Sequence, residues 1–402
     1  MKVAFVAYEY PPYSFGGIGS FSRDLSLGLS SAGVKITVIG LSHLRTITKE
    51  IINPNLTVIR VPTLNFPPRH LWWQTGNHNV IVKLLTKLSP DLIHSNGLVA
   101  TLPLRTFKGV SGVPQIVTIH GYNQKILEIL LANNRKLFQP RDFFAYVLFE
   151  PLYDMLLQID VKTADCVVAV AQHLKNDLQR RFKMANMTTV HNGIEVEPGL
   201  SDEYDADVGG KEQAVGLSRK RTTRIAYAGR LYWLKGITHA MNAFAALMRL
   251  HHPDNVEFNI YGDGPLQGEV RKFAASDESA GLVRYHGSLP REQLIAELRN
   301  NDIVLIPSLY EACPVVLLEA LALGKAVVVN SMPWSEEFIE DRVNGLRVDT
   351  RDPVAFANGL FELIDNWELR EQISQNAKKD VEKYSISNVT RMYASIYQGL
   401  AQ

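Results

Sequence analysis

Leu305–Gly324 reads LIPSLYEACPVVLLEALALG, and its order of strand, turn and helix decides how the rest of the chain is read. Apolar residues dominate Asp302–Pro307, which predicts a strand buried on both faces. A turn over Ser308–Pro314 follows, and Val315–Leu323 is apolar enough for a helix packed into a core. Pro314 suits the first helical position, because a proline there forfeits no intrahelical hydrogen bond. Glu311 falls in the turn, and Glu319 lies about a turn inside the helix, near its positive end. The amides of Val315 and Val316 then point outward, where an anion can dock. Taken alone, two glutamates near a helix start fit a solvated face as well as half of a site for a phosphorylated ligand.

The same alternation extends in both directions. Towards the N-terminus, strands are predicted at Lys2–Tyr8, Lys35–Gly40, Leu56–Val61, Asp91–Ser95, Gln115–His120, Cys166–Ala171 and Met187–His191. Ser201–Lys220 breaks the pattern: it is polar, has no apolar period and reads as a linker or surface loop. Alternation resumes with strands at Arg224–Ala228, Val256–Tyr261, Leu282–His286 and Ala326–Asn330. Two doubly wound, Rossmann-like α/β domains are therefore expected. They span residues 1–200 and 223–385, joined by a linker at 201–222, and face each other across a cleft at the strand C-termini. A last helix within 386–402 places Ile386, Val389, Tyr393, Ile396 and Tyr397 at helical spacing. Periodicity does not say whether it packs on the second domain or crosses back to the first.

The 402 residues are 46% apolar and 21% charged, the composition of a water-soluble globular chain. A formal net charge of +1 gives no global attraction to nucleic acid. The 2 cysteines, Cys166 and Cys313, lie far apart, which excludes a disulfide scaffold and suits a reducing cytosol. The opening MKVAFVAYEYPP reads as a first strand and not as a signal peptide, and no apolar run reaches membrane-span length.

Several groups sit where strands are expected to end. Arg230 and Lys235 project from one loop after Arg224–Ala228, so two fixed cations could neutralise a leaving diphosphate without a metal ion. Gly262 and Gly264 follow the next strand and fit either a backbone approach to a ligand or a tight turn. His286 ends the strand after that and could place backbone against a base. His120 closes Gln115–His120 and could bond a sugar hydroxyl or help stabilise developing charge. Gly16, Gly17 and Gly19 come too late after the first strand for a dinucleotide fingerprint, so a sugar or phosphate loop fits better. Asp205-Ala206-Asp207 lies in the polar stretch with no strand to hold carboxylates rigid, and reads as solvated charge and not as a metal site. Cys313 reads as a buried thiol. Arg69-His70-Leu71-Trp72-Trp73 fits contact with an acceptor or a membrane surface, although tryptophans tucked under the domain are the simpler account.

Taken together and in order, Gly16-Gly17-Ile18-Gly19, His120, Asn192-Gly193-Ile194, Gly229-Arg230, Lys235-Gly236, Glu311, Glu319 and Gly324 resemble the retaining GT-B glycosyltransferases of family 4, also called group 1. The resemblance covers nearly the whole chain. It implies a nucleoside-diphosphate sugar as donor, a hydroxyl acceptor, retention of anomeric configuration, no catalytic metal or other cofactor, and a C-terminal helix that crosses back to the first domain. His120, Arg230, Lys235 and Glu311 would be catalytic, with Arg230 and Lys235 on the diphosphate. Glu319 would take the ribose hydroxyls and the Val315 and Val316 amides a phosphate, while Gly16–Gly19 closes over donor and acceptor. Cys313-Pro314 stands where many members carry Phe-Gly, and Glu195 where Asp often follows Asn-Gly-Ile. The expected enzyme is cytoplasmic, with or without a peripheral contact to the inner face of a membrane. Alternatives are a GT-B epimerase or hydrolase acting on a nucleotide sugar, and a non-catalytic sugar-nucleotide-binding protein. A Rossmann oxidoreductase is disfavoured by the late glycines.

Overall fold

β-branched residues in short uninterrupted runs are stiff at χ1 and suit a pleated sheet covered on both faces. The computed structural model describes residues 1–13, 16–63, 69–132, 140–183, 186–195, 222–279 and 281–401. Except for Thr222, the expected linker at 201–222 lies outside them, as do Asp205 and Asp207. The described chain divides into two units. One comprises Met1–Ile194, Tyr310–Val315 and Ile386–Gln402, the other Glu195–Leu309 and Val316–Ser385.

In the first unit the strands are β1 (Lys2–Val6), β2 (Lys35–Ser42), β3 (Thr48–Asn53), β4 (Leu56–Pro62), β5 (Leu92–Asn96), β6 (Gln115–Ile119), β7 (Cys166–Ala169) and β8 (Met187–Thr189). They form an 8-stranded sheet in the order β3-β4-β2-β1-β5-β6-β7-β8. Only β3 runs antiparallel, against β4. Val3 of β1 pairs with Ile36 on one side and Leu92 on the other. Because side chains alternate along a strand, Val3 and Phe5 join one core with Phe21, Leu25 and Val38. Ala4 and Val6 join another, with Ile39, Trp73 and Ile81.

The second unit holds β9 (Thr223–Ala228), β10 (Val256–Tyr261), β11 (Val283–Gly287), β12 (Ile303–Ile306), β13 (Ala326–Asn330) and β14 (Leu346–Val348). Its 6-stranded sheet runs β11-β10-β9-β12-β13-β14, and every pair in it is parallel. Counting outward from β9, this is the doubly wound order in which the chain reverses direction beside the first strand. The reversals fall between β9 and β12 here, and between β1 and β5 in the first sheet. Loops leaving those strand ends have nothing folded over them by the crossover helices, so ligands collect there.

β3 and β14 are absent from the sequence reading for physical reasons. Thr48–Asn53 is an edge strand whose side chains are mostly exposed, so it has no apolar face to announce it. Leu346–Val348 is too short for a period.

Two segments cross between the units in sequence. Helix Ile386–Ala401 buries Val389, Tyr393 and Tyr397 in the first unit's core. Tyr310–Val315, expected inside the 223–385 domain, instead groups with the first unit, although β12 before it belongs to the second. The aromatic patch at 69–73 divides as well. It opens helix Arg69–Gly76, in which Trp73 is fully buried and donates to the Val61 carbonyl at 3.1 Å, whereas Trp72 is exposed. Among the described residues no helix is long and apolar enough to cross a membrane.

Candidate functional site

In the second unit, backbone hydrogen bonds hold the loop after β9 against its neighbours, and Tyr227 Oη adds a 3.0 Å bond to the Arg230 carbonyl. Leu231 N–H donates to the Asp263 carbonyl at 2.8 Å, and Leu266 N–H to the Leu231 carbonyl at 3.0 Å. A Cβ on Gly262 would lie 1.9 Å from the Gly229 carbonyl oxygen, and one on Gly264 would lie 2.5 Å from that of Leu231. Loop-to-loop packing therefore accounts for both glycines without a ligand. On the other side Gly236, at φ 71°, presses on the loop after β12: its Cβ would sit 2.1 Å from the Pro307 carbonyl oxygen. Leu309 N–H adds a 2.9 Å bond to the Leu234 carbonyl. These contacts fix the segment that carries Arg230 and Lys235 at the switch between β9 and β12. Arg230 is exposed, its guanidinium 5.4 Å from the centre of the Tyr232 ring, and Lys235 is half-buried at the end of a 3₁₀ turn, Trp233–Lys235.

Glu319 is buried in helix Val315–Ala322, where Arg291 Nε donates to its Oε1 at 2.9 Å. A buried carboxylate needs such a partner, since an uncompensated charge there costs several kcal/mol. His286 is fixed too. Its ring stacks on Tyr261 at 4.7 Å, and Nε2 donates to Asn259 Oδ1 at 2.7 Å.

In the first unit, helix Gly17–Ser31 starts, among the described residues, with no capping side chain and no acidic residue in its first turn, which leaves the helix's positive end available to an anion. Gly17 meets Val315, the first residue of helix Val315–Ala322: a Cβ on Gly17 would lie 3.0 Å from Val315 Cγ2. Helix Val315–Ala322 likewise has no acidic residue in its first turn, and helix starts of this kind favour an anion.

Glu311 is half-buried in the segment that joins the first unit. His173 Nε2 donates to its carbonyl at 3.1 Å. Asn192 Nδ2 donates to the Cys313 carbonyl at 2.8 Å, and Asn192 N–H points at Cys313 Sγ, 3.4 Å away. Asn192 therefore clamps the turn, while Gly193 makes room for the last helix: its Cβ would lie 2.7 Å from Ile386 Cδ1. The Cys313 thiol is buried.

His120 follows β6. Nε2 lies 2.7 Å from Asn96 Oδ1, and the ring meets Phe21 edge-on at 5.1 Å. Burial pushes its pKa down to about 3, so the imidazole is neutral at physiological pH. It can exchange hydrogen bonds with a hydroxyl, but it is not a reservoir of positive charge.

Arg230, Lys235, Gly262, Gly264, His286, Val316 and Glu319 thus belong to the second unit, and Gly16, Gly17, Gly19, His120, Glu311 and Val315 to the first. The sequence reading lacks Arg291, Asn96 and His173. Arg291 opens a separate helix, Arg291–Arg299, with no spacing relation to Glu319, and Asn96 is a strand-end residue with nothing local to mark it. Among the described residues no group of three or more His, Cys, Asp or Glu is placed to hold a metal ion. A hollow of about 200 Å³ lined by Thr222, Asn255, Val256, Gly281 and Arg284 lies at the opposite, N-terminal strand ends.

Residues 15–198 match the model of Glycosyltransferase Family 4, and residues 210–380 that of Glycosyl transferases group 1. An uncharacterised glycosyltransferase of Methanocaldococcus jannaschii is 26% identical over 407 residues, which cover 99% of this chain and 98% of that protein. The glycogen synthase of Mycobacterium tuberculosis is 23% identical over 388 residues, covering 91% and 86%. Among solved structures, the sucrose-phosphate synthase of Thermosynechococcus elongatus superposes with a TM-score of 0.80 at 16% identity, covering 99% and 98% of the two chains. Anabaena HepE in complex with UDP-glucose superposes with a TM-score of 0.68 at 16% identity, covering 99% and 100%. These likenesses show the fold: two Rossmann-like parallel-sheet domains, the GT-B architecture.

Proposed function

The chain belongs to the group 1, family 4 glycosyltransferases, and from that premise we propose that it moves a sugar from a nucleoside-diphosphate donor to an acceptor hydroxyl, with retention and without a catalytic metal. The observation that carries the reading is the contact of Gly17, at a helix start with no side-chain cap, with Val315, the first residue of another helix, since helix starts suit an anion. The UDP-glucose bound to Anabaena HepE supports a nucleotide-sugar donor.

In the reaction, the bond between the anomeric carbon and the diphosphate oxygen breaks. Arg230 and Lys235 neutralise the departing charge, the service a metal ion performs elsewhere. Glu319, oriented by Arg291, takes the ribose hydroxyls. Glu311 and His120 act on the sugar, and the Val315 and Val316 amides take a phosphate. The acceptor oxygen attacks on the face that the leaving group vacates, and its proton passes to the departing phosphate oxygen. Both cysteines are free thiols, which fits a cytosolic setting.

The test starts with thermal shift against UDP-, GDP- and ADP-sugars, since a specific ligand stabilises the fold by mass action. Transfer follows by NMR, which also reads the product's anomeric configuration, with and without EDTA. Lys235→Ala is expected to lower turnover by about 10²–10³. Because Glu319 is ion-paired and buried, Glu319→Gln is the gentler probe, and a rise in donor KM is expected. Near-normal kinetics in both variants would reject the site. Rapid conversion of donor without acceptor would favour an epimerase or hydrolase.

A further inference from the structure

Beside His120 runs a line of hydrogen bonds whose directions are all fixed. The Ile18 carbonyl can only accept, so the Ser22 hydroxyl donates to it at 2.8 Å. With its one proton so placed, Ser22 Oγ accepts from Asn96 Nδ2 at 2.7 Å. The other end of that amide, Oδ1, then faces His120. An amide oxygen accepts only, so the hydrogen in the 2.7 Å bond belongs to His120 Nε2. Nδ1 is left as a lone pair on a half-buried ring, with no hydrogen-bond partner among the described residues. Asn96 itself is only 1% exposed, so its amide has no water to turn towards.

We propose that Asn96 is a positioning residue: ordered by Ser22, it fixes His120 as the Nε2–H tautomer and presents Nδ1 as the acceptor for a hydroxyl of the bound sugar. The inference rests on the assignment of His120 to the transfer site. It adds which atom faces substrate and what holds it there. It also ties that atom to the glycine loop, because the line begins at Ile18 in the first turn of helix Gly17–Ser31. A second ring donor would compete for the sugar's oxygens, whereas a fixed lone pair takes the hydroxyl's hydrogen and favours positive charge developing on the sugar.

The titratable groups packed around the ring are His94 on β5, Tyr310 near Gly121, and Tyr393 against Phe21. Burial lowers the His94 pKa to about 3 and raises both tyrosines above their usual range. All are neutral near pH 7, so a charge placed at position 96 acts on His120 without competition from them.

The experiment pairs ¹⁵N-histidine NMR of the full chain with transfer assays on the donor identified above. The wild type, Asn96→Asp, Asn96→Ala, Ser22→Ala and His120→Ala are compared. Wild-type His120 is expected as Nε2–H, with no His120 limb in its activity between pH 5 and 8. Asn96→Asp keeps the acceptor and adds a charge, which raises the imidazole pKa by about 1–3 units. Activity then falls on the acid side and recovers as pH rises. Asn96→Ala, or Ser22→Ala should the first not fold, populates Nδ1–H and lowers kcat by roughly tenfold or more, with KM less affected.

Nδ1–H in the wild type overturns the proposal. So does an unchanged tautomer and pH profile in the Asn96 and Ser22 variants while His120→Ala is inactive, which leaves the function standing. A tautomer that moves while turnover stays constant, in a chain where His120→Ala is also active, instead removes His120 from the reaction.

Discussion

Gly236 shows how a single residue can belong to a functional loop and yet be required by packing. At φ 71° it lies in the left-handed region, and a Cβ would collide with the Pro307 carbonyl oxygen at 2.1 Å. Gly236→Ala is expected to cost at least about 2 kcal/mol, and the loss should show as a lower urea midpoint with an unchanged m-value. Lys235 is its neighbour, so donor affinity should fall with it, while Gly33→Ala, with nothing within 4 Å of its Cβ, separates backbone strain from collision. At this scale the sequence was legible where chemistry and position coincide. Arg230 and Lys235 lie in the loop after β9, and His120 directly follows β6, so the spacing of apolar runs could single them out. Arg291, Asn96 and His173 owe their places to tertiary contacts, which no spacing along the chain records. Gly262 and Gly264 were visible, but what they meet was not: the atoms against them are another loop's backbone.

Among the elements, helix Ile386–Ala401 is the one whose partner periodicity could not supply. The apolar spacing of Val389, Tyr393 and Tyr397 required only some core. Polar atoms within that core specify which one. Tyr397 Oη lies 2.6 Å from His94 Nδ1, and His94 Nε2 lies 2.7 Å from Thr118 Oγ1, which in turn lies 2.9 Å from Tyr393 Oη. A network buried this deeply is stabilising only when complete. Tyr397→Phe removes one hydroxyl and strands a ring nitrogen of His94, at an expected cost of about 1–3 kcal/mol in denaturant unfolding. Exposed Met392→Ala on the same helix should change stability by less than about 0.5 kcal/mol. The strand–turn–helix at Asp302–Leu323 was readable in type and nearly in bounds, being β12 and helix Val315–Ala322. That its turn packs with the other unit was not readable. Asn192, more than a hundred positions earlier, decides it.

For the molecule as a whole, alternation implies the doubly wound class, and both sheets reverse beside their first strand as that class requires. Its pH response depends instead on burial. Burial lowers the pKa of His70 to about 4 and of His94 and His120 to about 3. Between those values and the ordinary 6.5 the unfolded chain binds protons that the folded one refuses, so these groups make stability rise with pH. Asp160 acts oppositely: burial raises its pKa to about 7, so from about pH 4 upward the unfolded chain gives up a proton that the folded one keeps. Three groups outweigh one, and stability is expected to climb from pH 4 to about 6.5 and then level. Asp160→Asn should steepen the climb. Chemical denaturation at each pH checks both, and a flat profile would contradict the burial of these histidines.

Because the rings of Tyr393 and Tyr397 complete a core that β1 enters through Val3 and Phe5, a strand made early in this core waits for side chains made much later. Until helix Ile386–Ala401 is made, the places that Val389, Tyr393 and Tyr397 take in that core stand open. For this protein, then, synthesis rate and chaperone cover bear on the first unit, and loss of helix Ile386–Ala401 would be felt first around β1.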